Sequence, residues 1–353
     1  MIKLQTKKIT RDSEPFVIAE IGHNHQGSLE KAKEMVLNAK FCGADAVKFQ
    51  RRNNKKLYTK ALYNQIYDNP NSFGNTYGEH REALELSNDE LIELKKYCEE
   101  TNMEFMCTAF DFDSVDFLES IGINSYKIAS GDLTSLPLVE YIAKLKKPIF
   151  ISTGAATLDE VCEAYELILR YHDQICILQC TAGYPAEYDT LNLNVITTYL
   201  KKFPKAIIGY SGHDPGILAT SIARILGATV FEKHFTLNRA WKGTDHKFSL
   251  EPRGLQLVVR DLKRIDSALG SYEKKVLDSE KNAKRKMGKS LYYSHECKAG
   301  TIILEDDIAI KCPFEEVPAS EFKNFIGKKL LVDVKEDDTL NYKQFEFDKC
   351  SMK

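Results

Sequence analysis

A surplus of charge of either sign is missing from this chain of 353 residues: 49 Lys and Arg stand against 51 Asp and Glu, a net −2. Nucleic-acid-binding surfaces normally carry a basic excess, so no nucleic-acid partner is expected. No apolar run approaches the roughly 20 residues of a membrane helix, so no membrane partner is expected either. The opening MIKLQTKKITRDSEPF has no apolar stretch of the kind that directs secretion, and the expected location is cytoplasmic. The nine cysteines are scattered with no CxxC pair, which reads as reduced thiols rather than a disulfide or zinc framework. Internal repeats, low-complexity tracts and the dinucleotide-type glycine fingerprint are also absent. What remains is 43% apolar and 28% charged, a composition able to bury a real core.

Eight short apolar runs alternate with longer amphipathic segments. The runs are FVIAEI (16–21), ADAVKFQ (44–50), EFMCTAF (104–110), SYKIAS (125–130), PIFIST (148–153), ICILQC (175–180), AIIGYS (206–211) and TVFEKHF (229–235). Their β-branched and aromatic residues suit buried parallel strands. Segments 29–41, 88–101, 158–171 and 216–226 carry apolar residues at i, i+3 or i+4, as helices do, with Asn88 and Asp159 at the expected N-cap positions. Eight such units predict an α/β fold, a (β/α)8 barrel; the competing form is a doubly wound open sheet. A long polar and aromatic insertion, 51–86, follows the second strand and is expected to cover an active site.

The texture changes at SYEKKVLDSEKNAKRKMGK (271–289), read as a linker or a solvated helix. Beyond it, SLYY (290–293), TIIL (301–304), IAIK (308–311) and KLLVDV (329–334) predict a small, mostly β domain. The expected organisation is therefore a barrel over 1–270, a linker over 271–289 and a small domain over 290–353.

Barrel chemistry sits at the C-terminal ends of the strands. Those ends here bring up Glu20, then Lys48 and Gln50, Thr108, Lys127 with Ser130 and Asp132, Ser152, Tyr184, Ser211 with His213, and His234, with Asp245 beyond the last strand. Buried ionisable groups are costly unless paired, so such a set is expected at a site. His213 and His234 come from neighbouring strands and suit a divalent cation that polarises a carbonyl oxygen; packing histidines are the plain alternative. Lys48 and Lys127 with Thr108, Ser130, Ser152 and Ser211 form an anion-binding lining, for which a small phosphorylated carboxylate is the natural ligand and a Schiff-base lysine the rival use. Glu20 is the leading general acid or base, or else a structural partner of the lysines. Asp245 is placed to accept hydrogen bonds from sugar hydroxyls, or is a simple loop aspartate.

The strings FVIAEIGHNHQGSLEKA, GADAVKFQ, YKIASGD, ISTGA, QCTAGYP, IGYSGHDPGI and LGATVFEKHFTLNRAWKGTDHKFSLEP resemble the sialic acid synthase family (N-acetylneuraminate synthases and N-acylneuraminate-9-phosphate synthases). GKSLYY, KAGTIIL and IGKKLLVDVKEDD resemble its C-terminal antifreeze-like (SAF) domain, so the likeness spans nearly the whole chain. It implies condensation of phosphoenolpyruvate with N-acetylmannosamine or its 6-phosphate, with C–O cleavage and loss of phosphate. It implies a divalent metal, manganese first and magnesium or cobalt as alternatives, on His213 and His234. Glu20 takes the place of the family's catalytic glutamate. Lys48, Thr108, Lys127, Ser130, Ser152 and Ser211 fall on phosphoenolpyruvate-binding positions, and Gln50, Asp132, Tyr184 and Asp245 on sugar contacts. A domain-swapped homodimer is also implied.

Departures from the bacterial free-sugar pattern touch the sugar pocket alone: Lys311-Cys312-Pro313 lacks an arginine, Ala182 replaces an amide and Asp132 replaces a glutamate. TYGEHREALELS and AWKGTDH resemble the 9-phosphate-forming branch, with His80, Arg81 or Lys242 as candidates to hold a 6-phosphate. Legionaminic, pseudaminic or Kdn-9-phosphate synthesis is the near alternative. A Schiff-base aldolase, or a silent carbohydrate- or ice-binding protein, is the remoter one.

Overall fold

The alternation of side chains along each strand, one face in and one face out, builds the molecule's central feature. In the computed structural model, which describes residues 1–346, all eight predicted runs are strands: β1 (Phe16–Glu20), β2 (Ala46–Arg51), β3 (Glu104–Ala109), β4 (Tyr126–Ile128), β5 (Ile149–Ser152), β6 (Ile175–Cys180), β7 (Ile207–Gly212) and β8 (Val230–His234). Each pairs in parallel with its sequence neighbours, and β8 closes on β1 with Glu20 opposite His234. The sheet is thus the closed (β/α)8 barrel and not the open form.

Eight helices surround it: α1 (Leu29–Phe41), α2 (Asn88–Glu100), α3 (Phe112–Ser120), α4 (Leu136–Lys144), α5 (Leu158–Leu169), α6 (Val195–Lys202), α7 (Leu218–Ile225) and α8 (Pro252–Leu269). Outward strand residues such as Val17, Val47, Phe105, Ile177 and Phe231 join the buried helix faces in one large apolar cluster. Inward residues near the strand starts, among them Phe16, Ile18, Ala46, Met106, Phe150, Leu178 and Val230, fill the lower barrel. A two-residue hairpin, Ile2–Lys3 against Lys8–Ile9, adds Ile2 and Ile9 to that layer and closes the bottom. Gly209 belongs to the same interior, where a Cβ would lie 2.4 Å from Val230 O.

The caps of α2 and α5 differ from expectation. Ser87, not Asn88, caps α2, and Thr157, not Asp159, caps α5; each hydroxyl accepts from the N–H of a glutamate three residues on, and that glutamate returns the bond. A reciprocal capping box satisfies two helix-end donors at once, which neither expected residue does.

The chain divides into two compact units, Met1–Gly270 and Ser271–Lys353. In the second, the charged segment forms a short helix, α9 (Lys281–Met287), and β9 (Ser290–Tyr293) pairs antiparallel with β10 (Ile308–Lys311). TIIL and KLLVDV are not regular strands. They make only isolated bridges, Ile302 to Lys329, Leu330 to Phe345 and Cys297 to Val334. Their apolar residues Ile303, Leu330 and Val334 instead fill a small core with Leu291, Tyr293 and Phe325. Among the described residues no helix is long and apolar enough to cross a membrane.

Candidate active site

The strand period that fills the barrel's floor with apolar residues also builds the site. On β1, Phe16 and Ile18 point inward at the bottom and Glu20 at the top; on β2 the same face carries Ala46, then Lys48, then Gln50. The upper layer is therefore polar because the inward residue nearest the C-terminal end is polar on every strand but β6, where it is Cys180. These groups line a cavity of about 400 Å³, a size suited to small-molecule ligands.

Twelve of the thirteen residues singled out from the sequence line this cavity: Glu20, Lys48, Gln50, Thr108, Lys127, Ser130, Ser152, Tyr184, Ser211, His213, His234 and Asp245. Asp132 does not. It lies in the turn after β4 with one carboxylate oxygen buried and unpartnered, and burial pushes its pKa up to about 6.

The charged groups form a chain across the barrel mouth. Lys48 Nζ lies 2.8 Å from Glu20 Oε2, 3.1 Å from Thr108 Oγ1 and 3.5 Å from Glu232 Oε1. Lys127 Nζ donates to Ser152 Oγ (2.6 Å) and lies 3.9 Å from Glu232. Ser211 Oγ donates to the same Glu232 oxygen (3.2 Å), and Gln50 Nε2 donates to Glu20 Oε1 (2.7 Å). The two carboxylates are driven apart. Burial raises Glu20 more than Lys48 lowers it, whereas burial at Glu232 is outweighed by Lys127 and Lys48, which hold it below its ordinary value. Burial also lowers Lys127. Carboxylates separated in this way can divide acid and base roles.

His213 and His234 come together, their ring centroids 5.3 Å apart. His213 Nδ1 lies 2.9 Å from Thr181 O, and as donor there it leaves the Nε2 lone pair free. His234 Nδ1 is buried with no hydrogen-bond partner and sits 3.7 Å from Asp245 Oδ2. Burial holds the His234 ring below its ordinary value, hence neutral, as a metal ligand must be. Two imidazoles with open lone pairs, one orphaned in the cavity wall, fit a divalent cation.

The wall also holds residues outside those thirteen, among them Glu232, His23, Arg52 and Tyr58. Glu232 lies on β8 two residues before His234 and shares its inward face. His23, Arg52 and Tyr58 belong to the turn after β1 and to the insertion. Of the three residues proposed to hold a sugar phosphate, Arg81 alone lines the cavity. His80 is buried, accepts a bond from Phe73 N (3.1 Å) and stacks on Tyr67; Lys242 lies over the Phe73 ring. Arg52 takes their place. It donates to His23 Nε2 (2.9 Å) and Gln50 Oε1 (2.5 Å), and pairs with the buried Glu85 at 3.3 Å. Arg81 is held by a phenol rather than a carboxylate, its Nε and Nη2 both donating to Tyr77 Oη (3.0 and 2.9 Å). No pattern within 51–86 marks which of its basic residues turn inward.

Comparison with known proteins agrees with this geometry. The NeuB family model matches residues 35–274. The chain is 40% identical over 326 residues to the human N-acetylneuraminate-9-phosphate synthase, covering 92% of this chain and 91% of that one. It is 36% identical over 337 residues to the N,N'-diacetyllegionaminic acid synthase of Legionella pneumophila, covering 94% of each. Among solved structures, the N-acetylneuraminic acid synthetase of Leptospira borgpetersenii superposes with a TM-score of 0.70 at 30% identity, covering 80% of this chain and 94% of that one. With eight closed strands, a polar mouth and these relatives, the chain belongs to the NeuB family.

Proposed function

We propose that this protein condenses phosphoenolpyruvate with N-acetylmannosamine 6-phosphate to give N-acetylneuraminate 9-phosphate and inorganic phosphate. The observation that carries the reading is a second cationic pair, Arg52 and Arg81, in the cavity that holds Lys48 and Lys127. Arg52 lies four positions beyond Lys48, a span of roughly 13 Å at the strand rise. One substrate brings a phosphate and a carboxylate to the lysines; the other brings its 6-phosphate to the arginines. The human relative's name accords with that chemistry.

In this reading Lys48 and Lys127, with Thr108, Ser130, Ser152 and Ser211, hold phosphoenolpyruvate. Gln50, Tyr184 and Asp245 orient the open-chain sugar. A divalent cation on His213 and His234, manganese first, supplies a Lewis acid for the aldehyde oxygen. The enol ester's C3 forms a bond to the aldehyde carbon, and the aldehyde oxygen becomes a hydroxyl. Water adds at C2, with Glu20 taking its proton. The C2–O bond to phosphate then breaks as the new C2 hydroxyl gives its proton to the departing phosphate, leaving the ketone and inorganic phosphate. The proton taken by Glu20 balances the one gained by the aldehyde oxygen. A cytoplasmic location and a domain-swapped homodimer, in which the second unit serves the partner's barrel, belong to the same proposal. Exposed Ile302, Leu304, Ile310, Leu331 and Val332 on that unit support it.

The test is phosphate release from phosphoenolpyruvate with Mn²⁺ and a panel of aldoses: N-acetylmannosamine, its 6-phosphate, and the diacetamido sugar that leads to legionaminic acid. The 6-phosphate is expected to have the highest kcat/KM. Preference for either unphosphorylated sugar removes the phosphate reading and leaves the corresponding synthase.

A further inference from the structure

Behind the two histidines, in the outer layer of the barrel, lies a buried ion pair that no step above uses. Lys233 Nζ donates to Asp214 Oδ1 (2.8 Å) and to Asp214 O (2.6 Å), and Tyr210 Oη donates to the same Oδ1 (2.7 Å). Lys233 is 1% exposed and Asp214 0%. Glu232 and His234 face the cavity, so strand alternation turns Lys233 away from it. Each member of the pair is the chain neighbour of a histidine.

Backbone pairing does not hold those histidines together. The β7–β8 ladder ends at Gly212 opposite Lys233. His234 keeps its rung with Glu20 on the β1 side. His213 has left the sheet, and its ties run to the β6 loop, through Ala186 N to its carbonyl (3.2 Å) and Thr181 O to its ring. The Asp214–Lys233 bonds span the gap where the next rung would be. Gly212 makes room for them, since a Cβ there would lie 2.4 Å from the Tyr210 ring and 2.6 Å from Asp214 Oδ1.

A buried charge pair is a poor way to gain stability, because desolvation offsets the attraction and an apolar pair of similar size often does as well. Its geometric effect remains. We propose that Asp214 and Lys233 are positioning residues that fix the spacing of the His213 and His234 rings for a divalent cation, touching neither cation nor substrate. This rests on the reading of the two histidines as metal ligands.

The experiment titrates the full-length protein with Mn²⁺ and follows the free-ion EPR signal, beside thermal unfolding. Asp214→Leu/Lys233→Met removes both charges without orphaning one. It is expected to stay folded and to bind Mn²⁺ about 10–100-fold more weakly, the usual effect of losing a group that orients a metal ligand. Lys233→Arg is expected to keep affinity within about threefold, because the donor remains. A folded double variant with wild-type Mn²⁺ affinity overturns the proposal. Should the double variant not fold, Tyr210→Phe serves instead: it loosens one bond to Asp214 and should weaken Mn²⁺ binding measurably, and unchanged affinity there overturns the proposal equally. His213→Ala separates the two levels. If it binds Mn²⁺ as the wild type does, the histidine reading itself falls. If it loses the ion while the double variant does not, only the positioning role falls.

Discussion

Arg81→Met tests whether the cavity takes a sugar phosphate. Arg81 is half-buried in the cavity wall and is held by the Tyr77 hydroxyl rather than by a carboxylate. Its Nη1, 3.5 Å from His23 Nδ1, is the least committed donor. A phosphate docked on this guanidinium gains charge-assisted hydrogen bonds, each contributing about 1.5–3 kcal/mol. Losing one or two of them costs about 3 kcal/mol, or roughly 100-fold in kcat/KM, since each 1.36 kcal/mol is tenfold. Methionine keeps most of the apolar stem, so the loss falls on the charge. Phosphate release would be measured for wild type and variant with both N-acetylmannosamine and its 6-phosphate. The expected result is a loss of about two orders of magnitude for the 6-phosphate, a change of a few-fold for the free sugar, and an unaltered KM for phosphoenolpyruvate. Equal losses for the two sugars would refute the reasoning, because a phosphate contact cannot be felt by a sugar that has no phosphate.

Glu20→Gln keeps the bond from Gln50 but removes the base; kcat should fall by about 10²–10⁴ while the KM for phosphoenolpyruvate moves little, and steady-state phosphate release reads both. Asp132 has a folded pKa of about 6, above the unfolded value of about 3.9, so the folded state binds the extra proton and stability falls as pH rises between those values. Asp132→Asn should therefore unfold at a higher temperature than wild type near pH 7.5, and the difference should vanish below about pH 4; an offset independent of pH would assign the effect to something other than this carboxyl. Burial lowers Lys127, the one feature that favours an imine-forming aldolase. Borohydride with pyruvate or phosphoenolpyruvate should nevertheless leave the intact protein mass unchanged, since Ser152 and Glu232 hold the ammonium; a reduced adduct on Lys127 would establish the aldolase reading.

The barrel was legible because its signals are local. Runs such as ICILQC and PIFIST are too short and too β-branched for helices, and they recur eight times between amphipathic segments. The wall residues on strands were legible for the same reason: a period of two, read from an apolar floor, puts Glu20, Lys48 and Ser152 on one face. Where the backbone has no period, inference stopped. Residues 51–86 fold as three short helices, Asn54–Leu57, Lys60–Tyr63 and Tyr77–Glu82, and adjacent His80 and Arg81 part ways, one into packing and one into the cavity. In the second unit, TIIL and KLLVDV have the composition of strands but find only isolated bridge partners.

Amino-acid order alone determined that eight strands would form, which face of each would be polar at its end, and that two histidines would arrive from adjacent strands. These follow from propensity and pleat, which act within a few residues. Tertiary structure decided what those groups meet. Closing the barrel set Glu232 between Lys48 and Lys127, brought Arg52 over from the insertion, and buried Lys233 against Asp214. Such contacts depend on the stagger of neighbouring strands and on the path of a loop, and neither is written in any one stretch of chain.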